Sequence, residues 1–443
     1  MARQKSPCHT LRMTSAPSQD TRFRLSPGMA EELASAYGTP LYVIDEAHFR
    51  ARIRAYRAAF AAAYEDGEVA YASKANSTLA VLAIAAQEGC QIDVASEGEL
   101  RAAMAAGVRP AQCHLHGNNK QPDEIRFAVA QGIHTVVADH FAEIEFLGTL
   151  DLGTTKIVLR LAPGVDPITH AKISTGQADT KFGFNIADGS AERAALRCRE
   201  LGLPLVGFHC HVGSQLLDPE AQRSGGELVA RFAAYLAERH GVRAEYLNVG
   251  GGLGVRYTDS DLPTSLLDYN RLVVQAVLDA LVGSGLTPRL GQEPGRALVA
   301  ESGVTLYRVG VVKTVPARGR GTRTYVAVDG GVSDNPRPAL YGARYTVVNV
   351  SREGVPSDFT VSGKHCETDL LFEDVPLPSG TAPGDLLQVL CTGAYNASMA
   401  SNYNRYPRPA TALVRTDGAH CLVQRRDTWD EMLAREFVPE GIR

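Results

Sequence analysis

The sequence predicts a (β/α)₈ barrel of the TIM type, followed by an all-β domain that also takes a strand from before the barrel. Three observations lead to this fold. Eight strand-like segments alternate with Ala/Leu-rich helical patterns between Val69 and Arg296, and polar clusters recur after the ends of those strands. After Ala300 the pattern changes to short β-type runs between Gly/Pro turns. A doubly wound open sheet is the alternative, but the count of eight strands favours the barrel.

The predicted elements divide the chain into a flexible tail (1–24), the barrel (45–300) and a β-domain (25–44 with 301–443). The barrel strands are expected at Val69–Ser73, Gln91–Ala95, Cys113–Gly117, His134–Ala138, Lys156–Leu161, Leu205–Val212, Glu245–Val249 and Arg289–Gln292. Helical patterns follow the first seven, for example at Gly98–Ala106, Pro122–Gln131, Ser190–Leu201, Pro219–His240 and Leu266–Gly283. The β-domain runs are Val304–Val315, Thr324–Asp329, Arg344–Val350, Leu386–Cys391, Thr411–Arg415 and Ala419–Arg425, with Thr39–Ile44 as the strand from before the barrel.

Composition excludes several classes of protein. The chain has 443 residues and a formal net charge of −4, and it carries no basic stripe with interleaved aromatics, so a nucleic-acid binder is not expected. No apolar run is long enough to cross a membrane. The eight cysteines include no CxxC pair, and no secretory signal precedes them. We therefore expect a cytoplasmic protein with reduced thiols and no membrane partner.

Lys74 ends the first predicted strand and is followed by the polar turn Asn76–Thr78 and a helical pattern. An ammonium on an inward-pointing strand position is costly to desolvate. Such a lysine is paired, or it condenses with an aldehyde to form a Schiff base. The remaining possibility is a strand-end lysine whose amine reaches solvent.

Two further clusters follow the last barrel strands. Gly250–Gly252 comes after the seventh strand, and it can present backbone N–H groups to a phosphate because glycine has no Cβ to obstruct them. Glu293 ends the eighth strand and points at the barrel mouth, where a protonated ring nitrogen would keep it charged. An internal ion pair with Arg296 explains Glu293 equally well from its spacing.

His209 and His211 end the sixth strand on one face, together with Ser214. A metal site is conceivable there, but no third ligand occurs at suitable spacing, so no metal is expected. A flat imidazole that covers an aromatic ring is an equal use for His211, and Ser214 could add a phosphate hydrogen bond.

The β-domain adds an arginine between two prolines, Arg337, which is held in place for binding a carboxylate. A thiol beside a carboxylate, Cys366-Glu367, and the turn Gly393–Tyr395 follow. Together with the barrel clusters these residues match the needs of pyridoxal 5'-phosphate and an amino-acid substrate.

The chain strongly resembles the diaminopimelate decarboxylase family, which are pyridoxal-phosphate enzymes of the alanine-racemase-like barrel class. The resemblance covers about Pro40 to Val414. It rests on Tyr71–Asn76, Asp93–Leu100, His116–Lys120, Ile173–Gly176, Lys181–Phe184, His209–Gln215, Gly250–Gly252, Glu293–Arg296, Asp329–Tyr341, Cys366-Glu367 and Gly393–Tyr395.

The resemblance implies a role for each site residue. Lys74 forms the Schiff base with the cofactor, His211 packs on its ring and Glu293 pairs with its pyridine nitrogen. The phosphate binders are Ser214, Gly251, Gly252 and Tyr395. The substrate is bound by Arg296, Arg337, Tyr341, Glu367 and Tyr395. Cys366 and Glu367 reach the site of a partner subunit, so the expected working unit is a homodimer with shared active sites. The chain departs from the family where Thr368-Asp369 replaces the usual Ser-Gly/Ser-Asp.

The expected reaction is decarboxylation of meso-2,6-diaminopimelate to L-lysine and CO₂. An ionised Glu293 keeps the pyridine nitrogen protonated, which favours decarboxylation over racemisation, and Cys366 or Lys74 is the acid that reprotonates Cα. Two alternatives remain. One is a decarboxylase of ornithine, lysine, arginine, carboxynorspermidine or a carrier-bound amino acid, for which the Thr368-Asp369 loop is the supporting feature. The other is a non-catalytic pyridoxal-phosphate protein.

Overall fold

The structure is a computed structural model that describes residues 20–165, 179–317, 319 and 321–442. The matching stretch Ile173–Gly176 therefore lies outside the described residues. The strands are β1 Leu41–Asp45, β2 Gly67–Ala72, β3 Gln91–Val94, β4 Cys113–Leu115, β5 Thr135–Ala138, β6 Lys156–Ala162, β7 Phe184–Asn185, β8 Leu205–Cys210, β9 Tyr246–Asn248, β10 Arg289–Gln292, β11 Gly303–Ala317, β12 Gly321–Val328, β13 Val347–Asn349, β14 Pro356–Ser362, β15 Leu370–Pro378, β16 Leu386–Leu390, β17 Ala410–Val414 and β18 His420–Gln424.

The helices are α1 Pro27–Tyr37, α2 Glu46–Ala63, α3 Leu79–Gln87, α4 Glu97–Ala105, α5 Pro122–Ala130, α6 Phe141–Leu147, α7 Ser190–Glu200, α8 Glu220–His240, α9 Leu266–Leu281, α10 Arg296–Val299, α11 Arg337–Tyr341 and α12 Trp429–Leu433. Among the described residues, none of these helices has the length and apolar character that a membrane span requires.

Eight parallel strands close into a barrel in the order β2-β3-β4-β5-β6-β8-β9-β10, and β10 pairs with β2 to complete the ring. The predicted (β/α)₈ barrel is confirmed, and each predicted strand lies within a few residues of an observed one. Its helices pack apolar faces against the strands; in α2, for example, Phe49, Ile53, Tyr56 and Phe60 are buried. Burial of such large side chains is the main stabilising contribution to the fold.

The β-domain is a sheet in the order β15-β14-β12-β11-β1-β17-β18, with β16 paired to both β11 and β13. The strand from before the barrel, β1, lies antiparallel to β11 and parallel to β17, as predicted. The antiparallel strands β14 and β15 were not predicted from the sequence. Both strands carry exposed polar residues and register shifts, so the alternation that marks a strand is interrupted.

Two local features differ from the sequence-based expectations. Strand β2 ends at Ala72, and Lys74 lies in the single 3₁₀ turn Ser73–Ala75 that follows. Residues 20–24 belong to the segment that was predicted as a flexible tail, and within them Arg22 is buried and Phe23 is half-buried. Arg22 is buried and pairs with Asp20 and with Asp259, each at 2.7 Å.

Candidate active site

A cavity of about 450 Å³ opens at the carboxyl-terminal ends of the barrel strands, where the β-domain covers the barrel mouth. It brings together residues from nine segments that are separated in sequence. Its lining is Ala72, Lys74, Asp93, Val94, Ala95, Glu99, His116, Gly117, Asn118, Arg160, Phe182, His211, Ser214, Glu293, Arg296, Arg337, Tyr341, Tyr395 and Met399.

The turn that carries Lys74 is fixed from both domains. Ala75 O accepts the Tyr395 N–H at 2.7 Å, and the Asn76 side chain donates to Gly393 O at 3.0 Å. On the barrel side, the Ser73 hydroxyl donates to Glu99 at 2.8 Å. Although its neighbours in the turn are buried, the Lys74 side chain is exposed to the cavity, so its amine is available to a ligand.

His211 and the glycine turn after β9 are packed against each other. The Gly251 N–H donates to His211 Nδ1 at 3.3 Å. A Cβ on Gly251 would collide with Glu293 O, and Gly252 combines φ of +133° with a close approach to Gly213 O. Burial and the nearby Lys74 lower the pKa of His211 well below its ordinary value, so this imidazole is neutral and suits contact with an aromatic ring.

A smaller lobe of the cavity lies between the turns after β8, β9 and β10. Its lining includes Ser214, Gly252, Gly295, Arg296 and Tyr395. Four of the predicted cofactor and substrate residues thus meet in one place. Gly251 does not line this lobe, because its N–H is directed at His211; its part in phosphate binding stays a prediction.

Glu293 lies on the floor of the cavity and is 7% exposed. Its Oε1 accepts a hydrogen bond from His209 Nε2 at 2.9 Å, whereas its Oε2 has no hydrogen-bond partner among the described residues. Burial acts to raise the pKa of Glu293, but His209 and His116 outweigh it and hold that pKa below the ordinary value. The carboxylate is therefore ionised and has one oxygen free to accept a hydrogen bond.

Arg296 and Arg337 lie on the side of the cavity that faces the β-domain, and each is 5% exposed. Arg296 donates to Ser214 Oγ at 3.0 and 3.2 Å and to the Tyr257 hydroxyl. Arg337 donates to the same Tyr257 oxygen at 3.0 Å and to the Tyr345 hydroxyl. Both guanidiniums are thus held by neutral oxygens, which leaves their positive charge available to an anion.

The predicted pair Cys366-Glu367 does not line this cavity of its own chain, as far as the described residues define it. Cys366 and Glu367 are exposed; the Cys366 N–H donates to Asn404 Oδ1 at 2.9 Å, and Glu367 accepts from the Tyr403 hydroxyl. Eight other predicted residues line it, namely Lys74, His211, Ser214, Glu293, Arg296, Arg337, Tyr341 and Tyr395, whereas Gly252 lines only the smaller lobe and Gly251 lines neither.

The metal-site hypothesis paired His209 with His211, but His209 lies instead beside Glu293 and His116. His209 therefore has two possible metal ligands beside it, His116 and Glu293, which the sequence spacing did not reveal. Among the described residues, two groups could bring three ligand atoms within 4.8 Å of one another: Asp93, His114 and His116, and His116, His209 and Glu293. That the protein binds no metal stays a prediction.

Four residues that line the cavity or contact its lining received no role from the sequence: Asp93, His116, Arg160 and Tyr257. A signal for the first two was present. Polar residues alternate with apolar ones in Gln91–Val94 and in Cys113–His116, and such alternation places polar side chains on one face of a strand. Because the barrel strands are buried on both faces, that face is the barrel interior.

The site fits pyridoxal phosphate by its own chemistry. Lys74 offers an amine for an aldehyde, and Glu293 Oε2 is a buried acceptor without a partner, as a protonated ring nitrogen requires. The small lobe beside Ser214 and Arg296 offers donors for a phosphate.

Residues 46–300 match the family model of the pyridoxal-dependent decarboxylase, pyridoxal binding domain. The chain is 42% identical to the diaminopimelate decarboxylase of Bacillus subtilis over 95% of its own length and 96% of that protein. It is 46% identical to that of Actinosynnema pretiosum, over 92% and 91% of the two chains. Among solved structures it is similar to the M. jannaschii diaminopimelate decarboxylase in complex with L-lysine, at a TM-score of 0.85 and 32% identity over 96% and 98% of the two chains.

Proposed function

The chain belongs to the pyridoxal-dependent decarboxylases, and within them to the diaminopimelate decarboxylases, and from this we propose that it converts meso-2,6-diaminopimelate to L-lysine and CO₂. One observation carries the proposal. Lys74, Glu293 and Arg337 all line a single cavity, whose volume suits a cofactor together with a small amino acid, and Glu293 Oε2 has no hydrogen-bond partner among the described residues.

When bound, pyridoxal phosphate supplies an electron sink for the electron pair left behind as CO₂ departs. The residues of this chain supply the rest. Lys74 would hold the cofactor through its aldehyde, the neutral His211 ring would pack on the cofactor ring, and Ser214, Gly252 and Tyr395 would hold the phosphate. Glu293, whose pKa lies below its ordinary value, would accept the ring N–H and so favour the protonated ring.

Substrate recognition relies on Arg337, Arg296 and Tyr341, which line the cavity beyond Lys74. A carboxylate at the far end of the substrate neutralises a buried guanidinium that is otherwise held only by phenol oxygens. Ornithine and lysine lack that carboxylate. They would leave the guanidinium without an anionic partner, at a cost of about 10²- to 10⁴-fold in kcat/KM.

The proton that replaces the lost carboxylate at Cα comes from Cys366 Sγ or Lys74 Nζ. Cys366 is exposed in its own chain and does not line the cavity there. The proposal therefore includes a homodimer in which the loop carrying Cys366 and Glu367 enters the partner's cavity.

The test is CO₂ release from a panel of amino acids by the protein loaded with pyridoxal phosphate. The panel contains meso-diaminopimelate, its LL and DD isomers, ornithine, lysine and arginine. We expect meso-diaminopimelate to exceed every other substrate in kcat/KM, with lysine as its product. Faster turnover of ornithine would contradict the substrate assignment, and a loaded protein without turnover on any of them would support a non-catalytic role.

A further inference from the structure

Glu293 belongs to a row of five buried ionisable side chains inside the barrel. His209 Nε2 lies 2.9 Å from Glu293 Oε1, and His116 Nε2 lies 3.6 Å from Glu293 Oε2. The same His116 nitrogen is 3.5 Å from Asp93 Oδ1, and Asp93 Oδ1 is 3.2 Å from His114 Nδ1. All five side chains are at most 11% exposed.

His209 is the donor that fixes the orientation of the carboxylate. A carboxylate can only accept, so Nε2 carries the proton in the bond to Oε1. Burial lowers the pKa of His209 despite the neighbouring carboxylate, so the ring is neutral, and its Nδ1 is a bare acceptor without a hydrogen-bond partner among the described residues. The donated bond therefore engages Oε1 of Glu293 and leaves Oε2 as the oxygen without a hydrogen-bond partner among the described residues.

His116 lies between two buried carboxylates, those of Asp93 and Glu293. Asp93 acts to raise the pKa of Glu293, as a like charge must. His116 lowers the pKa of both carboxylates, and it is fixed against His209 by an edge-to-face contact with ring centroids 5.0 Å apart. His114 Nδ1 lies 3.2 Å from Asp93 Oδ1 on the other side of this carboxylate.

We propose that His209 and His116 are positioning residues for the cofactor: the His209 hydrogen bond holds Oε1 of Glu293, so that Oε2 is the oxygen left to accept from the ring nitrogen, and His116 lies against Oε2 with Asp93 on its other side. The inference rests on the proposed function, because it concerns how tightly and in which protonation state the pyridoxal phosphate of that reaction is bound. The ionisable groups that act on Glu293 come from several strands, and they are Asp93, His114, His116, Arg160, His209, Cys210, His211 and Tyr246.

The test compares His209→Gln with His209→Met. Glutamine places an N–H donor where Nε2 lies, and methionine has a similar volume without a donor. Pyridoxal-phosphate affinity is measured by titrating the stripped protein and following absorbance, and the bound cofactor's spectrum is recorded against pH. We expect His209→Met to weaken cofactor binding by about 10- to 100-fold, the effect of losing a hydrogen bond to a charged group, and to move the spectral pH transition. His209→Gln should restore most of the affinity and the transition.

A control is His134→Gln, which makes the same substitution at an exposed histidine that lies near His114 and does not contact Glu293. It should bind the cofactor as the unmodified protein does. If His209→Met does not fold, His209→Asn replaces it, because the shorter amide keeps a polar group but cannot reach Oε1; it should show the same loss.

Equal cofactor affinity and equal spectra for the Gln and Met variants would overturn the inference, whether both match the unmodified protein or both are weakened alike. That result leaves the proposed function intact, provided that the unmodified protein binds pyridoxal phosphate on Lys74. Failure of the unmodified protein to bind the cofactor at all would instead overturn the proposed function.

Discussion

Arg296 and Arg337 donate to the same oxygen, the hydroxyl of Tyr257. The two arginines come from different domains, one from the start of α10 and the other from the start of α11, and each also lies near the face of the Tyr257 ring. Tyr257 itself is buried at 6% exposure. One phenol therefore fixes the separation between the guanidinium beside the smaller lobe of the cavity and the guanidinium on α11.

Tyr257→Phe should raise KM for meso-diaminopimelate by about tenfold, because both guanidiniums lose an acceptor and become less well oriented. Pyridoxal-phosphate affinity should change less, since Arg296 keeps its two bonds to Ser214. The measurement is steady-state kinetics with saturating cofactor, alongside a cofactor titration. An unchanged KM would show that the shared phenol does not orient the substrate-binding arginine.

Asp369→Ala should destabilise the protein and lower kcat while cofactor affinity stays the same. Asp369 accepts N–H bonds from Val332 at 2.8 Å and His365 at 2.9 Å, and it bonds the His365 ring at 2.8 Å. Removing it leaves buried donors unsatisfied, at a cost of about 1–3 kcal/mol in unfolding free energy, and loosens the segment that carries Cys366 and Glu367. Chemical denaturation and kcat measure the two effects.

The control for that experiment is Glu373→Ala, which removes an exposed carboxylate whose ion pair with Arg323 is 3.4 Å long. Exposed pairs contribute little, so both stability and kcat should stay near their starting values. A kcat for Asp369→Ala equal to that of the control would contradict the idea that Asp369 positions the loop.

Two inactive variants should restore each other when mixed. If the active sites are shared, a dimer of one Lys74→Ala chain and one Cys366→Ala chain contains one site with both native residues. Random reassembly makes half of the dimers mixed, so about one quarter of the unmodified activity should return. Mixing is done by mild dissociation and dilution, with each variant alone as the control. No recovery, with mixed dimers demonstrated by mass, would place Cys366 outside the partner's site.

Asp334→Asn should stabilise the protein at high pH relative to the unmodified chain. Burial raises the pKa of Asp334 to about 7 from its ordinary 3.8, even though Tyr307 and the Gly331 N–H donate to it. Because the folded state holds this proton more tightly than the unfolded state, the unmodified protein loses stability as pH rises from 3.8 through 7. The asparagine variant lacks this dependence.

The difference in unfolding free energy between Asp334→Asn and the unmodified protein should therefore grow by about 2–3 kcal/mol from pH 5 to pH 8. Urea denaturation at both pH values measures it. A difference that is the same at pH 5 and pH 8 would show that Asp334 titrates normally in the folded state.

The barrel could be predicted from sequence because its strands and helices repeat a local pattern eight times, and the residues after the strand ends, such as Lys74 and Glu293, follow from that pattern. The contacts of Glu293 with His209 and His116 could not be predicted from the sequence. They join β10, β8 and the end of β4, and the three residues are distant in sequence. Only the closure of the barrel brings them together.

In the β-domain, part of the fold itself could not be predicted from the sequence. Strands β14 and β15 were missed because bulges interrupt their alternation, and they flank the loop with Cys366 and Glu367. The departure at Thr368-Asp369 was visible in the sequence, but its meaning was not. Asp369 is buried and accepts hydrogen bonds from two backbone N–H groups, so the loop is fixed by that side chain.

The central claim is that Lys74 carries the cofactor, and borohydride reduction tests it most directly. The protein is loaded with pyridoxal phosphate, reduced, digested and analysed by mass spectrometry, with Lys74→Ala treated in parallel. The account predicts one stable phosphopyridoxyl adduct, on the peptide that contains Lys74, and none in the variant. An adduct on another lysine, or the same labelling in Lys74→Ala, would contradict it.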